Sequence, residues 1–253
     1  TAHARGHKVV IFEQGAQLGG TMAWAGNYQT LPNMEQIAYQ PDWHKLMVAK
    51  AGIEVRLNTA LTRDVVVAEK PDVVVVATGA KPAMPDVAGL DKALASGFAR
   101  SIDTALSGGL DKLADGPAVV WGASEGVELA LDLAQGGRSV RLLEPKDKFV
   151  PANYIGSRAG AVLRWSAKVG LAPELGVALT EVGEGKVVVT HADGRRETIA
   201  CANLLIAPGR MAHDPLSREL FKLGVKVETI GDARKPRSYG NAIHEAAYLA
   251  RHV

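Results

Sequence analysis

Short apolar runs alternate with helical patterns along this chain. Residues 9–12 are four apolar positions that end at an acid, Glu13, and they have the length of a strand buried in a parallel sheet. Four consecutive valines within residues 73–79 predict a second such strand, buried on both faces. Strands that alternate with helical patterns favour an α/β fold built on parallel sheets.

The spacing of apolar residues, and the Gly and Pro stops between them, predict the other elements of the first part and of the end of the chain. Helices are expected at 33–52, with a kink or break at Pro41, and at 239–252, and strands at 53–57 and 227–232.

A second βαβ unit is predicted after a glycine-rich stretch between 88 and 116. It has a strand at 117–121, a helix at 126–133 and a strand at 139–144, which ends at Glu144 as the first strand ends at Glu13. A helix at 157–170, a hairpin of 186–190 with 197–199 around Asp193-Gly194, and a strand at 203–207 complete it.

This order predicts two nested Rossmann-like domains, the second inserted in the first. The first is expected to comprise residues 1–103 and 211–253, and the second residues 104–210. Only twelve residues precede Glu13, whereas the ribose-binding acid of a dinucleotide fold follows its glycine loop by about 20 residues. We therefore expect a truncated first βα unit, with its strand and phosphate loop upstream of Thr1.

Composition narrows the possible partners. The 253 residues are 47% hydrophobic, which is enough for the cores of two medium domains, and no segment is apolar enough to span a bilayer. The net charge is +2 without a basic stripe, so nucleic acid is not an expected partner. A single cysteine, Cys201, excludes a disulfide framework, a zinc-thiolate site or an iron–sulphur cluster within these residues and fits the reducing cytoplasm.

Small residues at strand ends indicate a nucleotide site. Gly19 and Gly20 follow the acid-ended first strand and would let the backbone approach a ligand. Thr78 and Gly79 end the valine strand, where open α/β sheets bind ligands. The last helix begins beside Gly231-Asp232, and its N-terminal amides would suit a phosphate or an electron-rich ring edge.

These motifs occur together in one known group. The segments EQGAQLGG, VVVATGA, NLLIAPGR and IGDARKPRSYGNAIHEAAYLAR stand in an order that resembles the two-dinucleotide-binding-domain flavoproteins. The end of the chain is most similar to the carboxyl-terminal region of the multidomain NADH:flavin oxidoreductase family, which includes 2,4-dienoyl-CoA reductase, trimethylamine and histamine dehydrogenases, and N-demethylases. The resemblance covers nearly the whole chain.

The resemblance implies a nucleotide-binding region of a larger protein, in which the first domain binds FAD or ADP and the second is similar to an NAD(P)-binding domain. It implies an N-terminal TIM barrel carrying FMN and substrate, with a 4Fe-4S cluster next to it, and neither is encoded in these residues. Carried over by position, Glu13 would bind adenosine ribose, and Gly231 and Asp232 the pyrophosphate or ribitol. Gly19 and Gly20 would line the nucleotide channel, and Thr78 and Gly79 the strand end. It implies no catalytic residue and no metal ligand within this chain.

The second phosphate loop departs from the family pattern. Aligned on residues 128–130, the three fingerprint positions are Trp121, Ala123 and Gly126, so only the third glycine is kept. Shifting the alignment to Gly122 also saves one glycine. An indole would crowd the turn and a methyl would hold the pyrophosphate off, so NAD(P)H binding is expected to be impaired. Against this, Glu144 stands where an NAD ribose acid belongs, unless it is a solvated acid at a strand end.

Three hypotheses follow. A degenerate second loop goes with the amine dehydrogenase and N-demethylase branch, in which electrons pass from FMN through the cluster to an electron-transferring flavoprotein. The alternative is an NAD(P)H-dependent ene reductase that relays electrons through FAD. A third is a module that binds ADP as a structural brace without a redox role. In each case the partners are the protein's own barrel and further copies in a homo-oligomer.

Three other groups carry simpler explanations. His244 and Glu245 could suggest acid–base chemistry, but in this helix they are expected to pack or to form hydrogen bonds at a domain interface. His3 and His7 have helical metal-ligand spacing, but Gly6 lies between them and no third ligand is near. The basic residues Arg234, Lys235 and Arg237 could contact nucleotide phosphates or face solvent.

Overall fold

The computed structural model describes residues 1–149 and 156–253, which form two compact units. Unit 1 comprises Thr1–Ala23, Gln36–Lys81 and Arg210–Val253, and unit 2 comprises Trp24–Glu35 and Pro82–Gly209. The α/β class and the insertion of one unit in the other are as predicted.

The described residues form fourteen strands and eight α-helices. The strands are β1 Val10–Phe12, β2 Glu54–Arg56, β3 Val74–Val76, β4 Ala80–Pro82, β5 Ala99–Ser101, β6 Ala118–Trp121, β7 Val140–Glu144, β8 Pro173–Leu175, β9 Ala178–Gly183, β10 Lys186–Thr190, β11 Arg196–Ala200, β12 Asn203–Ile206, β13 Arg210–Ala212 and β14 Val227–Thr229. The helices are α1 Tyr39–Lys50, α2 Arg63–Glu69, α3 Leu90–Ser96, α4 Ile102–Gly108, α5 Ala123–Gln135, α6 Gly156–Lys168, α7 Ser217–Lys222 and α8 Tyr239–His252.

Unit 1 is built on two short parallel pairs. Strand β1 pairs with β2, and β3 pairs with β14, with Val76 opposite Thr229. Val74 and Val76 pack in a core with Val66, Leu216 and Leu220. The strand predicted at 73–79 to be buried on both faces is shorter, and Val75 is 45% exposed because alternate side chains of a strand point to opposite faces.

Unit 2 is a parallel sheet covered on one face by an antiparallel meander. The five parallel strands run in the order β5-β12-β6-β7-β8, and the meander in the order β11-β10-β9. Strands β6 and β12 are buried throughout, as expected for parallel strands covered on both faces. The hairpin predicted around Asp193-Gly194 is present, with Lys186 opposite Ala200.

The division between the units does not follow the predicted boundaries at 103/104. Residues 82–103 contact the second unit because Ala88 forms a bridge with Glu181, and the Val182 amide donates to the Ala88 carbonyl at 2.8 Å. Gly89 lies against the same strand so closely that an added Cβ would be 2.0 Å from the Val182 carbonyl oxygen. This contact joins residues about 90 positions apart, so no local pattern announces it.

Two other expectations change in detail. Pro41 does not kink a long helix: it lies in the first turn of α1, where its missing N–H has no intrahelical partner to lose, and a separate 3₁₀ turn precedes it. The strand expected at 227–232 ends at Thr229, and Gly231–Ala233 form a 3₁₀ turn. In the part of the chain that the structure describes, no helix has the length and apolar character needed to cross a membrane.

Candidate functional site

Glu13 is held at the carboxyl end of β1 by its own loop. Its amide donates to the Arg56 carbonyl at 2.9 Å and so continues the β1–β2 pairing by one residue. Its carboxylate Oε1 accepts the Gly15 amide at 2.6 Å, while its carbonyl accepts the Thr59 amide at 2.9 Å. The partly buried carboxylate is therefore fixed at the strand end rather than free to swing.

The predicted residues Thr78, Gly79, Gly231 and Asp232 come together, because β3 and β14 are parallel neighbours. The Ile230 amide donates to the Val76 carbonyl at 3.0 Å, which extends the pairing to the corner. The Thr78 hydroxyl donates to the His213 carbonyl, and the His213 amide returns to the Gly79 carbonyl at 3.0 Å.

The corner at Gly231 is tied to helix α8. Gly231 is buried with φ +59°, and an added Cβ would lie 3.3 Å from the Ala242 Cβ, so glycine provides both the backbone conformation and the close approach. The helix itself starts with a capping box: the Ser238 hydroxyl accepts the Asn241 amide, and the Asn241 side chain accepts the Ser238 amide.

Helix α1 connects the glycine loop to this corner. An added Cβ at Gly19 would be 3.5 Å from both Pro41 Cβ and Lys45 Cε. One residue before Lys45, His44 Nε2 lies 3.1 Å from the Tyr239 hydroxyl at the start of α8. Within the described residues the β1–β2 and β3–β14 pairs are not joined by strand pairing, so α1 provides the contact between the Gly19 loop and α8.

The loops of unit 1 leave backbone open for a ligand such as FAD or ADP. A Cβ added at Gly20 (φ +49°) or at Gly79 (φ +73°) meets nothing within 4 Å. Backbone that is both in the left-handed region and uncovered suits close approach of a pyrophosphate. Arg237, by contrast, is not a free phosphate ligand, since its guanidinium pairs with Glu245.

The second predicted loop is closed by protein atoms. An added Cβ at Gly122 (φ +102°) would lie 2.2 Å from the Ala207 carbonyl oxygen, and one at Gly126 would lie 2.6 Å from Val120 Cγ1. Ala123, the first residue of α5, is fully buried. The glycine at 126 thus allows the close helix–strand packing that the fingerprint requires, while the first turn of the helix has no comparable space.

The carboxylate of Glu144 lies at the N-terminus of α5. Its Oε2 accepts the Ser124 amide at 3.1 Å and lies 3.4 Å from the Ser124 hydroxyl, and its Oε1 accepts the Lys146 amide at 3.2 Å. The residue is 2% exposed, so the alternative of a solvated acid at a strand end is wrong. The positive dipole end of α5 therefore already has the Glu144 carboxylate as its partner.

Trp121 was expected to crowd the turn, but it does not. Its indole lies in the core of unit 2 with Leu143 and Val187, and its Nε1 donates to the Val177 carbonyl at 3.0 Å. The side chain of this strand residue points to the meander face of the sheet, because residues alternate along β6. The indole that stands in place of the first fingerprint glycine is therefore packed in the core and does not fill the turn.

Sequence reasoning missed the residues that hold these corners. Neither Glu245 nor Ser124 belongs to a sequence motif. No aspartate precedes Ser124 at the start of α5, and nothing in the sequence indicates that Glu144, 20 residues later, accepts the Ser124 amide. The sequence predicts that His244 and Glu245 pack or form hydrogen bonds at a domain interface, whereas Glu245 accepts the amide of Gly231 within unit 1. Glu245 lies 14 positions from Gly231, so only the observed hydrogen bond identifies it as the acid of this glycine turn.

Comparison with known proteins identifies the family. The family model described as pyridine nucleotide-disulphide oxidoreductase matches residues 1–233. The chain belongs to this family. Its α/β architecture is that of the FAD- and NAD-binding Rossmann-like domains of this family.

Several relatives are much longer than this chain. A NADH oxidase from Thermoanaerobacter brockii is 29% identical over 92% of this chain and 35% of its own length. The structure of a 2-naphthoyl-CoA reductase in complex with 2-naphthoyl-CoA matches with a TM-score of 0.84 and 28% identity, over 100% of this chain and 37% of that one. An N,N-dimethylglycine/sarcosine dehydrogenase from Chromohalobacter salexigens is 35% identical over 34% of this chain and 12% of its own length. The chain thus spans little more than a third of the length of the NADH oxidase and of the 2-naphthoyl-CoA reductase.

The disulphide chemistry in the family's description cannot be carried by two cysteines of this chain, which has one. Cys201 is buried, and burial raises the pKa of its thiol to about 11. At neutral pH this thiol is protonated and is a poor nucleophile.

Proposed function

We propose that this chain is the nucleotide-binding region of an amine dehydrogenase or N-demethylase, in which unit 1 holds FAD or ADP and unit 2 does not take NAD(P)H. The observation that carries the proposal is the Glu144 carboxylate on the Ser124 amide at the start of α5. Electrons would then come from an organic donor at FMN and pass through a 4Fe-4S cluster, both of which the family resemblance implies outside these residues.

The physical reason is competition for one anion position. A dinucleotide pyrophosphate binds to the free amides and the positive dipole end of this helix. Here a buried carboxylate already accepts one of those amides, and a pyrophosphate beside it would bring two more negative charges into a poorly solvated place. The methyl of Ala123 adds a steric obstacle at the same turn.

The likeness to the dimethylglycine/sarcosine dehydrogenase supports the amine branch. Unit 1 supports the nucleotide part of the proposal, because Gly20 and Gly79 leave open backbone in the left-handed region. Glu13, Gly19, Thr78, Gly231 and Asp232 are the other residues that we propose to contact the nucleotide.

A second candidate is an NAD(P)H-dependent reductase that uses FAD as a relay. The similarity to a NADH oxidase and to a 2-naphthoyl-CoA reductase favours it, and Glu144 stands at the strand end that an NAD ribose acid would occupy. In that case Gly122, Ala123, Gly126 and Glu144 would rearrange around the dinucleotide. A structural ADP brace is the third candidate.

Anaerobic stopped-flow mixing of the full-length protein separates these candidates. We expect NADH and NADPH to leave the flavin oxidised over seconds, while a methylated amine such as dimethylglycine or sarcosine bleaches it. Rapid bleaching by either nicotinamide would overturn the amine proposal in favour of the reductase. Acid extraction and chromatography of the bound nucleotide then distinguish FAD, an electron carrier, from ADP, a brace.

The partners of the intact protein follow from the family resemblance. We propose that the region docks on its own N-terminal TIM barrel, works in the cytoplasm as a homo-oligomer, and delivers electrons to an electron-transferring flavoprotein.

A further inference from the structure

We infer that Glu245 on helix α8 is a positioning residue that sets the Gly231–Asp232 corner for an adenine nucleotide. The inference rests on the proposed function of unit 1, and it assigns a role to a side chain that is not among the proposed nucleotide contacts.

Both oxygens of the Glu245 carboxylate are engaged at the corner. Oε2 accepts the amide of Gly231 at 2.8 Å, and Oε1 accepts the guanidinium of Arg237. Arg237 in turn donates its backbone amide to Asp232 Oδ1 at 2.9 Å. The Glu245 side chain therefore touches one end of the corner directly and the other end through a single residue.

The Gly231 contact has a specific energetic reason. Gly231 is buried and sits in the left-handed region, where the backbone is held by its surroundings rather than by its own preference. Its amide would have no partner within the strand, because the β3–β14 pairing ends at Ile230. A buried amide without an acceptor is costly, so the carboxylate decides which way this peptide faces.

The Arg237 contact fixes charge as well as geometry. Three cations, Arg234, Lys235 and Arg237, lie within seven positions of Gly231, and Glu245 neutralises one of them. The Arg237 hydrogen bond, followed by the Gly231 amide, lowers the pKa of Glu245, so the carboxylate is ionised at neutral pH. With Arg237 held in this way, its backbone amide stays on Asp232 and fixes the direction of that carboxylate.

This role predicts an ordered set of variants in the full-length protein. Glu245→Gln keeps an oxygen that can accept the Gly231 amide and should retain nucleotide affinity within about 3-fold of the wild type. Glu245→Leu removes the acceptor and should weaken nucleotide binding by about 10-fold or more. Glu245→Asp is shorter by one methylene, cannot span both partners, and should fall between the two.

The measurements are nucleotide content per polypeptide after gel filtration, and the affinity of the nucleotide-free protein for ADP. Melting temperature is recorded in parallel, because a merely structural role would lower the melting temperature of Glu245→Leu and leave the ADP affinity of its folded fraction unchanged. Glu219→Leu is the matched control: it removes a carboxylate of the same unit whose side chain is 52% exposed and whose partner Arg63 is 4.0 Å away. The control should leave ADP affinity unchanged.

Each outcome decides one of the two claims. If the wild-type protein carries no adenine nucleotide and binds no ADP, the proposed function of unit 1 fails. If the wild type binds ADP and Glu245→Leu binds it equally well, the positioning role is wrong and the proposed function stands. Should Glu245→Leu not fold, Glu245→Asp decides: ADP affinity equal to the wild type would overturn the role.

Discussion

A buried aspartate holds the segment Trp24–Glu35 within unit 2. Asp132 is 2% exposed, and its carboxylate accepts the amides of Thr30 at 2.6 Å and Leu31 at 3.1 Å and the Thr30 hydroxyl at 2.9 Å. The amide of Gln29 contributes a further bond at 3.0 Å. A carboxylate with so many donors is satisfied although it lies away from water.

Removing this carboxylate should destabilise unit 2 strongly. We expect Asp132→Ala to cost about 2–5 kcal/mol of the free energy of unfolding, because it leaves buried amides without an acceptor. Urea denaturation followed by tryptophan fluorescence measures the change. Glu184→Ala, an exposed carboxylate in the β9–β10 turn, is the control and should change stability by less than about 0.5 kcal/mol. Equal midpoints for Asp132→Ala and the wild type would show that the contact contributes nothing.

At the scale of elements, one arginine joins the parallel sheet of unit 2 to its meander. Arg141 on β7 donates to Glu174 on β8 at 2.6 Å and to Glu197 on β11 at 2.6 Å. His191, just after β10, lies 2.7 Å from the same Glu197 carboxylate. The arginine hydrogen bond, followed by that of the histidine, lowers the pKa of Glu197 from 4.5 to about 2.

This depressed pKa sets the sign of a pH effect. A carboxylate whose pKa is lower in the folded state stabilises the fold above its unfolded pKa and loses that contribution as pH falls. The stabilisation by Glu197 is therefore complete above about pH 5 and disappears as pH falls from 4.5 to about 2. Solvent reaches part of the pair, so we expect a contribution on the order of 1 kcal/mol.

Glu197→Gln tests this by removing the titrating group. The urea midpoint of the wild type should fall more steeply between pH 4.5 and 2 than that of the variant, because glutamine does not titrate. Glu181→Gln changes an exposed carboxylate on strand β9 of the same meander and should keep the wild-type slope. Parallel curves for the wild type and Glu197→Gln would contradict the prediction.

At the scale of the whole molecule, we expect unit 1 to bind a nucleotide and unit 2 not to bind NADH. Unit 1 has open glycine backbone at Gly20 and Gly79. In unit 2 the start of helix α5 is occupied by the Glu144 carboxylate. A ligand that binds only the folded state slows hydrogen exchange at its site by a factor that grows with the ratio of ligand concentration to Kd.

Hydrogen exchange of the full-length protein, freed of nucleotide, measures this directly. ADP at 100 times its dissociation constant should slow exchange about 100-fold in peptides covering residues 13–20 and 229–245. NADH should leave residues 119–130 unprotected. Guanosine diphosphate serves as the control for a pyrophosphate without adenine. Protection of 119–130 by NADH would contradict the assignment of unit 2.

The sequence predicted those features of this protein that depend on neighbours along the chain. The strands that end at Glu13 and Glu144, the Asp193-Gly194 hairpin and helix α8 follow from local periodicity and from glycine stops, which act over a few residues. The α/β class and the nesting of the two units follow from the order of these elements. The strand-end acids were found for the same reason, since the end of an apolar run is visible in the sequence.

Only the tertiary structure decided which groups the buried and partly buried acids of this chain contact. Glu144 meets Ser124 across 20 positions, Glu245 meets Gly231 across 14, and Asp132 meets Thr30 across 102. The same is true of the boundary at Pro82, which depends on Ala88 lying on Glu181. A carboxylate near a strand end can bind a ribose, cap a helix or face water, and these differ only in which amides packing brings within about 3 Å. Distance along the chain carries no record of that packing.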